Sequence, residues 1–407
     1  MHIDSHKYTF MNFLRYYFFY IFLHLTLTGS SLVQIGDAIS VKLDASATYK
    51  HTSNILKSEV GEISDSFYVF SPGAVFNIGT PGTPLDLKVK AKYDIFQYND
   101  YDIYDINRLK VYLDGSYIPS QLSSSVFSYS NIESQSAKSE LSTKANPALV
   151  EVSTENASFF ATYKYSPKLS FSLGANQKEI IYDTYTDELA SKKSTSIPFK
   201  VIYHYTNKLS LLYGVTFTDT EVGPKTEYSL IEGTPIIVED TIPGYNTDSI
   251  YYNVGLKGII LPKLSGHFDV GYRTLEYDTS LRDFNAFGVT SSLKWTMSPK
   301  FYTTINISRD FDAAGSGGTY RFTRGNFTSV YSINTEYKLS FNFGRTLKFF
   351  RDRQIDSRDE TLTNASLNLH YYPSQNYSFS TGYNYIKSNA LDDYDLREFR
   401  LSANFKY

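Results

Sequence analysis

The sequence predicts an all-β fold, a transmembrane up-and-down antiparallel β-barrel of about 18 strands, with 16 strands as the alternative. The first observation is a set of segments of ten to twelve residues in which apolar and polar residues alternate without a break. The second is a short turn that recurs in the C-terminal half with a period close to 37 residues, at Pro262, Pro299, Glu336 and Pro373. The third is a composition with 16% aromatic and only 20% charged residues over 407 positions. Strands with one lipid-facing and one water-facing side average to such a mildly polar composition.

Composition also excludes several classes of function. Cysteine is absent, which excludes disulfides, Cys-ligated zinc and a Cys nucleophile. The net charge of -3 leaves no basic excess for a nucleic-acid partner. After the first thirty residues no apolar run approaches the ~20 residues of a membrane helix. The few histidines are widely spread, so we expect no metal site and no cofactor.

The N-terminus has the features of an export signal. Lys7 and Arg15 precede an apolar stretch over 16–25, and the small residues Gly29 and Ser30 follow it. This order predicts a signal peptide over 1–30 and a barrel over 31–407. A retained anchor helix is disfavoured because the apolar stretch is short and His24 interrupts it.

The strand pattern is clearest in three segments, 39–50, 85–94 and 398–407, where apolar residues occupy every second position. A helix would distribute these apolar residues around its whole surface, whereas a strand places them on one face. Strands of 10–12 residues are longer than the usual soluble strand and fit a membrane crossing. The Ser-rich segment 121–133 predicts the weakest strand, which is why 16 strands is the alternative.

The 37-residue unit fits two strands joined by a tight periplasmic turn and a longer outer loop. An even number of strands places both termini on the periplasmic side. The longest predicted outer loop is 220–248, which folds either outward or into the pore. Amphipathic rings favour the membrane interface, and the predicted interface aromatics beside the short turns are Tyr163, Tyr165, Tyr203, Tyr205, Trp295 and Tyr371.

The C-terminal strand resembles the signal by which outer-membrane barrels are recognised for insertion. Its alternating apolar residues include Phe399, Leu401, Phe405 and Tyr407, the last of which ends the chain. This resemblance implies the barrel-assembly machinery as a partner during insertion. It also implies the bacterial outer membrane as the location, with the lipid bilayer and lipopolysaccharide around the barrel.

Three segments carry a broader resemblance: 66–73 (SFYVFSPG), 262–272 (PKLSGHFDVGY) and 293–300 (LKWTMSPK). With them, nearly the whole mature chain resembles the β-barrel porins found with exopolysaccharide export systems in Gram-negative bacteria. The resemblance implies passage of a sugar polymer and a periplasmic polysaccharide export complex as a partner. The acidic outer loops, with Asp100, Asp102 and Asp105 as one example, depart from what a purely anionic cargo would favour.

The alternation also predicts which charged side chains line the lumen. The basic ones are Lys42, Lys50, Lys88, Lys90, Lys92, Lys110, Lys164, Lys200, Lys257, Arg273, Lys294, Arg324, Lys348, Arg400 and Lys406. The acidic ones are Asp44, Asp86, Asp94, Asp114, Asp269, Asp310 and Glu398. The lumen is therefore predicted to be net basic and to favour anions, with Lys88, Lys90 and Lys92 as a ladder up one strand. The alternative is that these lysines pair with aspartates and only keep the lumen hydrated.

Two further features complete the prediction. Arg309 and Arg345 fall on nominally lipid-facing positions towards the outer strand ends, where long side chains reach the interface. Ser265, His267 and Asp269 share one strand face but stand ~6.5–7 Å apart, too far for a catalytic triad. We therefore expect no enzyme.

The favoured function is a pore for exported polysaccharide or oligosaccharide with an anion-leaning lumen. A general or nutrient-uptake porin is the nearest alternative. A plugged structural or adhesive barrel and a barrel hydrolase are alternatives of other classes.

Overall fold

The computed structural model describes residues 33–36, 38–59, 61–79, 83–137, 149–230, 237–278, 283–313, 319–350, 359–390 and 393–407. The predicted signal peptide over 1–30 lies outside these residues. Among the described residues, no helix combines the length and the apolar character that a membrane crossing requires.

Antiparallel strands account for nearly all of the described chain. In order they are β1 (Val33–Ile35), β2 (Ile39–Thr52), β3 (Asp65–Ser71), β4 (Gly73–Ile78), β5 (Leu85–Tyr98), β6 (Ile106–Tyr117), β7 (Ser123–Ala137), β8 (Leu149–Ser166), β9 (Leu169–Tyr182), β10 (Lys192–His204), β11 (Leu209–Val222), β12 (Lys225–Leu230), β13 (Ile237–Ile242), β14 (Tyr245–Leu261), β15 (Leu264–Tyr277), β16 (Phe284–Ser298), β17 (Phe301–Ala313), β18 (Thr319–Ser332), β19 (Tyr337–Phe350), β20 (Asp359–Tyr371), β21 (Tyr377–Asn389) and β22 (Tyr394–Lys406). A 3-10 turn, Asp102–Tyr104, lies between β5 and β6.

The sheet closes on itself because β22 pairs with β2, where Asp44 lies opposite Lys406. β3 and β4 act as one strand of the barrel, since both pair with β2 and β5. Pro72 separates them because it has no N–H to give to the ladder. β1 pairs only with β2, and β12 pairs only with β13. Of 22 strands, counting β3 and β4 as one and leaving out β1, β12 and β13 gives 18 barrel strands, which confirms the predicted fold.

Sequential strands are neighbours throughout the barrel, so the topology is up-and-down as predicted. Tight turns join the strands at one end, as at 167–168 and 299–300. The C-terminus lies at the same end, where Leu43 and Tyr407 exchange two backbone hydrogen bonds of 2.7 and 2.9 Å. In barrels of this kind the end with short turns and chain termini is periplasmic.

The predicted interface aromatics lie near this periplasmic end and are largely exposed. Their exposed fractions range from 41% for Tyr203 to 68% for Tyr165, and Trp295 is 45% exposed. Tyr371 instead stacks on Tyr337, with ring centroids 4.6 Å apart. Their membrane contact stays a prediction.

The C-terminal strand shows the predicted alternation with one difference in exposure. Phe399 and Leu401 are exposed, whereas Phe405 is buried. Its ring centroid lies 5.5 Å from that of Tyr377 and 6.2 Å from that of Tyr407. The aromatic end of the strand therefore packs within the barrel wall, and its role as an insertion signal stays a prediction.

The outer connections are folded against one another where they are described. The Asn54 side chain exchanges two hydrogen bonds with the backbone of Ser58, and the neighbouring Ile55 and Leu56 are buried. The predicted loop 220–248 contains the β12–β13 hairpin, whose Thr226 donates a backbone hydrogen bond to Asp187 in the preceding outer connection. The outer end of the barrel is thus covered in part by ordered segments.

Candidate functional site in the barrel lumen

An ion-pair cluster lines the concave face of β14–β17 in the outer half of the barrel. Arg273 Nε lies 2.7 Å from Asp310 Oδ1, and Arg273 Nη2 donates to Asp310 Oδ2 at 2.9 Å. The Nη2 contact is a charge-assisted hydrogen bond, whereas Nε lies close to the carboxylate without hydrogen-bond geometry. Arg273 Nη1 also donates to Ser249 Oγ at 3.0 Å. Because β16 lies between β15 and β17, both side chains must share one face of the sheet, and the exposed Tyr272 and Ile307 at alternating positions mark the other face as the outward one.

The ring of Tyr251 forms the floor of this cluster. The Arg273 guanidinium lies 4.8 Å from the centre of the ring. A Cβ atom at Gly271 or Gly288 would come within 2.6 or 2.9 Å of ring atoms, so glycine at both positions lets the ring lie flat against the wall. The ring is therefore held between the glycines of the wall and the Arg273 guanidinium, which fixes the position of the cation.

A second ion pair reaches across the lumen. Lys192 Nζ lies 2.8 Å from Asp312 Oδ1, although four strands separate β10 from β17 along the sheet. In an evenly round barrel of this size these two strands would stand roughly 28 Å apart. The section of the barrel is therefore flattened near its outer end, and the Lys192–Asp312 pair forms a constriction there.

A polar cavity of about 270 Å³ adjoins the constriction. Its charged lining residues are Lys178, Lys192, Arg273 and Asp312. Most of its remaining lining carries hydroxyl groups, from Ser194, Ser196, Thr218, Thr220, Thr247, Ser249 and Thr319. Ser194 and Thr220 hydrogen-bond to each other at 2.9 Å. A hydroxyl-rich surface with both charges present suits a polyhydroxylated solute.

Of the other ion pairs of the lumen, Lys90–Asp44 lies just on the periplasmic side of mid-height, and the remaining pairs lie in the outer half. Lys90 pairs with Asp44 and Lys110 with Asp94, both at 2.6 Å. Pairs nearer the outer rim are Lys50–Glu398 at 3.2 Å, Lys348–Glu360 at 3.3 Å and Arg108–Glu151 at 3.6 Å. The outer half of the lumen is thus largely neutralised by its own charges.

The periplasmic half differs. Among the described residues, no carboxylate pairs with the lysines near the periplasmic strand ends, which are Lys42, Lys88, Lys164, Lys200, Lys257 and Lys294. Lys294 Nζ lies 4.3 Å from the centre of the Tyr302 ring, an attraction that leaves its charge in place. We call these six residues the periplasmic lysine ring. Asp86 and Asp114 lie at the same end, without a salt bridge in the described part of the chain, and are fewer than these lysines, so this end of the lumen carries a net positive charge.

The predicted ladder on β5 is not uniform. Lys90 pairs with Asp44, and Lys92 Nζ donates to Ser46 Oγ at 3.2 Å. Lys88 makes no ion pair within the described chain, although Asp114 lies opposite it in register. Both interpretations made from the sequence therefore hold on this strand: Lys90 is paired with an aspartate, and Lys88 is not.

The other predicted lumen residues make contacts within the wall. The Arg324 guanidinium lies 5.6 Å from the centre of the Phe322 ring, and Arg400 Nη2 donates to Asn368 Oδ1 at 3.0 Å. That the predicted lumen residues line the path of a solute stays a prediction. Lys192, Glu151 and Glu360 were missed from the sequence because they fall in segments predicted to be outer loops.

The strand face with Ser265, His267 and Asp269 shows no catalytic arrangement. No hydrogen bond joins the three side chains, and the Asp269 carboxylate instead accepts one from Asn253 Nδ2 at 3.2 Å. Within the described part of the chain, no group of three or more His, Asp or Glu side chains is placed to hold a metal ion.

Comparison with known proteins gives a family match for one part of the chain. Residues 240–407, which include β14–β22, match the model of the family described as Putative beta-barrel porin 2. No curated protein matches the chain in sequence.

Solved structures similar to the chain are outer-membrane proteins at low sequence identity. OpdO of Pseudomonas aeruginosa aligns with 91% of this chain and 98% of its own, at 11% identity and a TM-score of 0.48. OpdK of the same organism aligns with 90% and 99%, at 10% identity and a TM-score of 0.46. The outer-membrane channel DcaP of Acinetobacter baumannii aligns with 93% and 100%, at 13% identity and a TM-score of 0.43.

Proposed function

We propose a cargo for this protein on the premise that residues 240–407 belong to a family of β-barrel porins and that the barrel is a channel of the bacterial outer membrane. The cargo is an anionic polysaccharide or oligosaccharide that leaves the periplasm through the lumen. The observation that carries this proposal is the periplasmic lysine ring, whose charges lack carboxylate partners among the described residues.

The ring supports both the charge of the cargo and its direction. A ring of basic side chains raises the local concentration of anions at a pore entrance. Because Lys88, Lys257 and Lys294 lie near the periplasmic strand ends, an anionic chain arriving from the periplasm meets them first. The outer half then offers paired charges and the hydroxyl-rich cavity, which suit weak contacts with sugar units. Weak contacts in series let a chain move on without being held.

The acidic outer loops fit this direction. Asp102 and Asp105 lie between β5 and β6, beyond the outer strand ends. Burial of Asp105 raises the pKa of its carboxyl, and the neighbouring Asp102 and Asp65 carboxylates act in the same sense. Negative groups at the exit repel an anionic chain that has left the lumen and so oppose its return. A periplasmic export complex would deliver the chain to the lysine ring.

Single-channel recording from the purified mature barrel in a planar bilayer tests the proposal. A salt gradient gives the ion selectivity, and acidic and neutral oligosaccharides of equal length are then added to each side in turn. We expect an anion-selective channel that the acidic oligosaccharide blocks at lower concentration from the periplasmic side. The triple variant Lys88→Gln, Lys257→Gln, Lys294→Gln should lose several-fold in anion preference and in sensitivity to block.

The matched control removes three lysines from the periplasmic turns outside the lumen, as Lys168→Gln, Lys208→Gln and Lys300→Gln. Equal losses in the two triple variants would show that bulk charge, not the ring, sets selectivity. An open channel that ignores both sugars would identify a general or nutrient-uptake porin. A folded barrel without conductance would identify a plugged structural or adhesive barrel.

A further inference from the structure

Two arginines lie on the outward face of the barrel wall, among residues that face lipid. On β17–β19 the outward positions include Ile307, Phe327 and Phe343, which are 42%, 39% and 42% exposed. Arg309 follows Ile307 by two positions on β17, and Arg345 follows Phe343 by two positions on β19, so both share this apolar face. Arg345 is exposed, and Arg309 is half-buried.

Neither arginine forms an ion pair with a carboxylate of the described residues. The Arg309 Nε atom is buried and has no hydrogen-bond partner there. The contrast with the lumen is direct, because Arg273 on the inner face has both a carboxylate and a hydroxyl partner. A guanidinium on a lipid-facing surface is costly unless an anion compensates it.

The height of the two residues places them near the outer leaflet. In the register, Tyr331 lies opposite Phe301 at the periplasmic end, and Thr323 lies opposite Arg309 eight residues further along β17. With a rise of ~3.4 Å per residue and a tilt of about 40°, Arg309 stands roughly 20 Å above the Tyr331 position. By the same count Arg345, which lies opposite Gly325 six residues from Tyr331, stands roughly 16 Å above that position. The apolar band of such barrels is ~25 Å tall, so both arginines lie in its outer half and their long side chains extend towards its outer boundary.

A notch separates the two arginines. Gly325 lies opposite Arg345 in register, and no atom stands within 4 Å of the place where its Cβ would be. The notch has a volume of about 360 Å³, and its side-chain lining includes Ile305, Ile307, Phe327, Phe343 and Leu347. In register Arg345 lies beside Gly325 at the middle of the notch, and Arg309 lies level with its outer end. From the strand spacing and register, the Cα atoms of Arg309 and Arg345 are roughly 12 Å apart. Both guanidinium groups can therefore reach one anionic group held over the notch.

We propose that this notch is a binding site for lipopolysaccharide of the outer leaflet. An acyl chain occupies the apolar notch over Gly325, and Arg309 and Arg345 bind a phosphate group at its upper edge. Phosphate is the anion for which guanidinium groups offer matching paired donors. Arg321 lies on the same face nearer the outer end and stacks over Phe349 at 5.0 Å, which extends the basic surface towards the saccharide region. This site is independent of the cargo in the lumen.

The test measures protection of the purified barrel against heat. Folded and unfolded barrel are separated on a detergent gel after heating at graded temperatures with graded lipopolysaccharide, and bound lipopolysaccharide is quantified in parallel. We expect the concentration for half-maximal protection to rise about tenfold or more in Arg309→Gln/Arg345→Gln, because two charge-assisted contacts are lost. The variant Gly325→Phe, which fills the notch and keeps both arginines, should weaken binding as well.

The matched control is Arg324→Gln/Arg400→Gln, which removes the same charge from the inner face and should bind lipopolysaccharide as the parent does. Unchanged binding in both the double arginine variant and Gly325→Phe would overturn the proposal. Protection by phosphatidylglycerol vesicles or by inorganic phosphate at equal concentrations would also overturn it, since either result would show a general attraction for anions. If the double variant does not fold, Gly325→Phe alone decides, because its charge is that of the parent.

Discussion

The outer and periplasmic halves of the lumen use similar residues in opposite ways. In the outer half, Arg273 and Lys192 meet carboxylates at 2.7 and 2.8 Å. In the periplasmic half, Lys88 and Lys257 have no carboxylate partner among the described residues. Paired charges fix the distance between two strands, whereas free charges leave a field in the water of the pore. On the proposed function, the outer half shapes the channel and the periplasmic half selects what enters it.

This difference shows that a basic side chain in a pore has no function that can be assigned from its position alone. The Lys90 and Lys88 side chains are two residues apart on the same strand face, yet only Lys90 has a salt bridge. Pairing depends on the registers of two successive strand pairs, because β4 lies between β5 and β2 and places Asp44 of β2 within reach of Lys90. Variants that exchange or remove the charged partners therefore test this difference between the two halves directly.

The largest effect should come from breaking the Arg273–Asp310 ion pair of the outer half. Arg273→Ala removes the partner of Asp310 and the cation above Tyr251. We expect the free energy of unfolding to fall by about 1–3 kcal/mol, less than for a fully buried pair because the Asp310 side chain is 33% exposed. Urea unfolding of the barrel in lipid vesicles measures the loss.

The matched control for this variant is Lys257→Ala in the periplasmic half, which should change stability by no more than about 0.5 kcal/mol. The double variant Arg273→Met/Asp310→Leu should recover most of the lost stability, since no charge is then left unpaired. If Lys257→Ala costs as much as Arg273→Ala, the distinction between a shaping half and a selecting half is wrong.

The fold was predictable because alternation and turns are local signals. All 18 barrel strands were expected, and even the Ser-rich segment 121–133 forms part of β7, which extends to Ala137. The break at Pro72 was not anticipated, although a proline inside a strand is a local reason for it. The β12–β13 hairpin within the predicted loop 220–248 was also missed, because its six-residue strands are short for any periodic signal.

The site was less predictable because ion pairs depend on positions far apart in sequence. Lys192 and Asp312 are 120 residues apart, and their contact depends on how the barrel is flattened. No pattern within either strand signals that contact. The inward lysines were expected as a set, but the division into paired and free members follows only from the register.

An intermediate effect should follow from removing the constriction. Lys192→Ala/Asp312→Ala deletes the pair that reaches across the lumen, so the section of the pore near the outer end should widen. We expect conductance to rise on the order of tens of per cent, since it follows the narrowest section. The control Lys348→Ala/Glu360→Ala removes a pair between the neighbouring strands β19 and β20, which leaves the width unchanged. Equal conductance changes in both double variants would place the constriction elsewhere.

The smallest effect concerns Lys57, which lies in the connection between β2 and β3 at the outer end of the barrel. Burial lowers the pKa of Lys57 below its usual 10.5, and the nearby Lys50 lowers it further while Glu398 opposes the shift. Between that lowered pKa and 10.5 the unfolded chain holds more protons than the folded one, so stability should rise with pH in this window. Lys57→Met should stabilise the barrel at neutral pH and abolish the rise. Urea midpoints at neutral and alkaline pH measure this, with the exposed Lys387→Met as the control. Parallel pH profiles for the parent and Lys57→Met would show that the buried charge of this connection does not oppose folding.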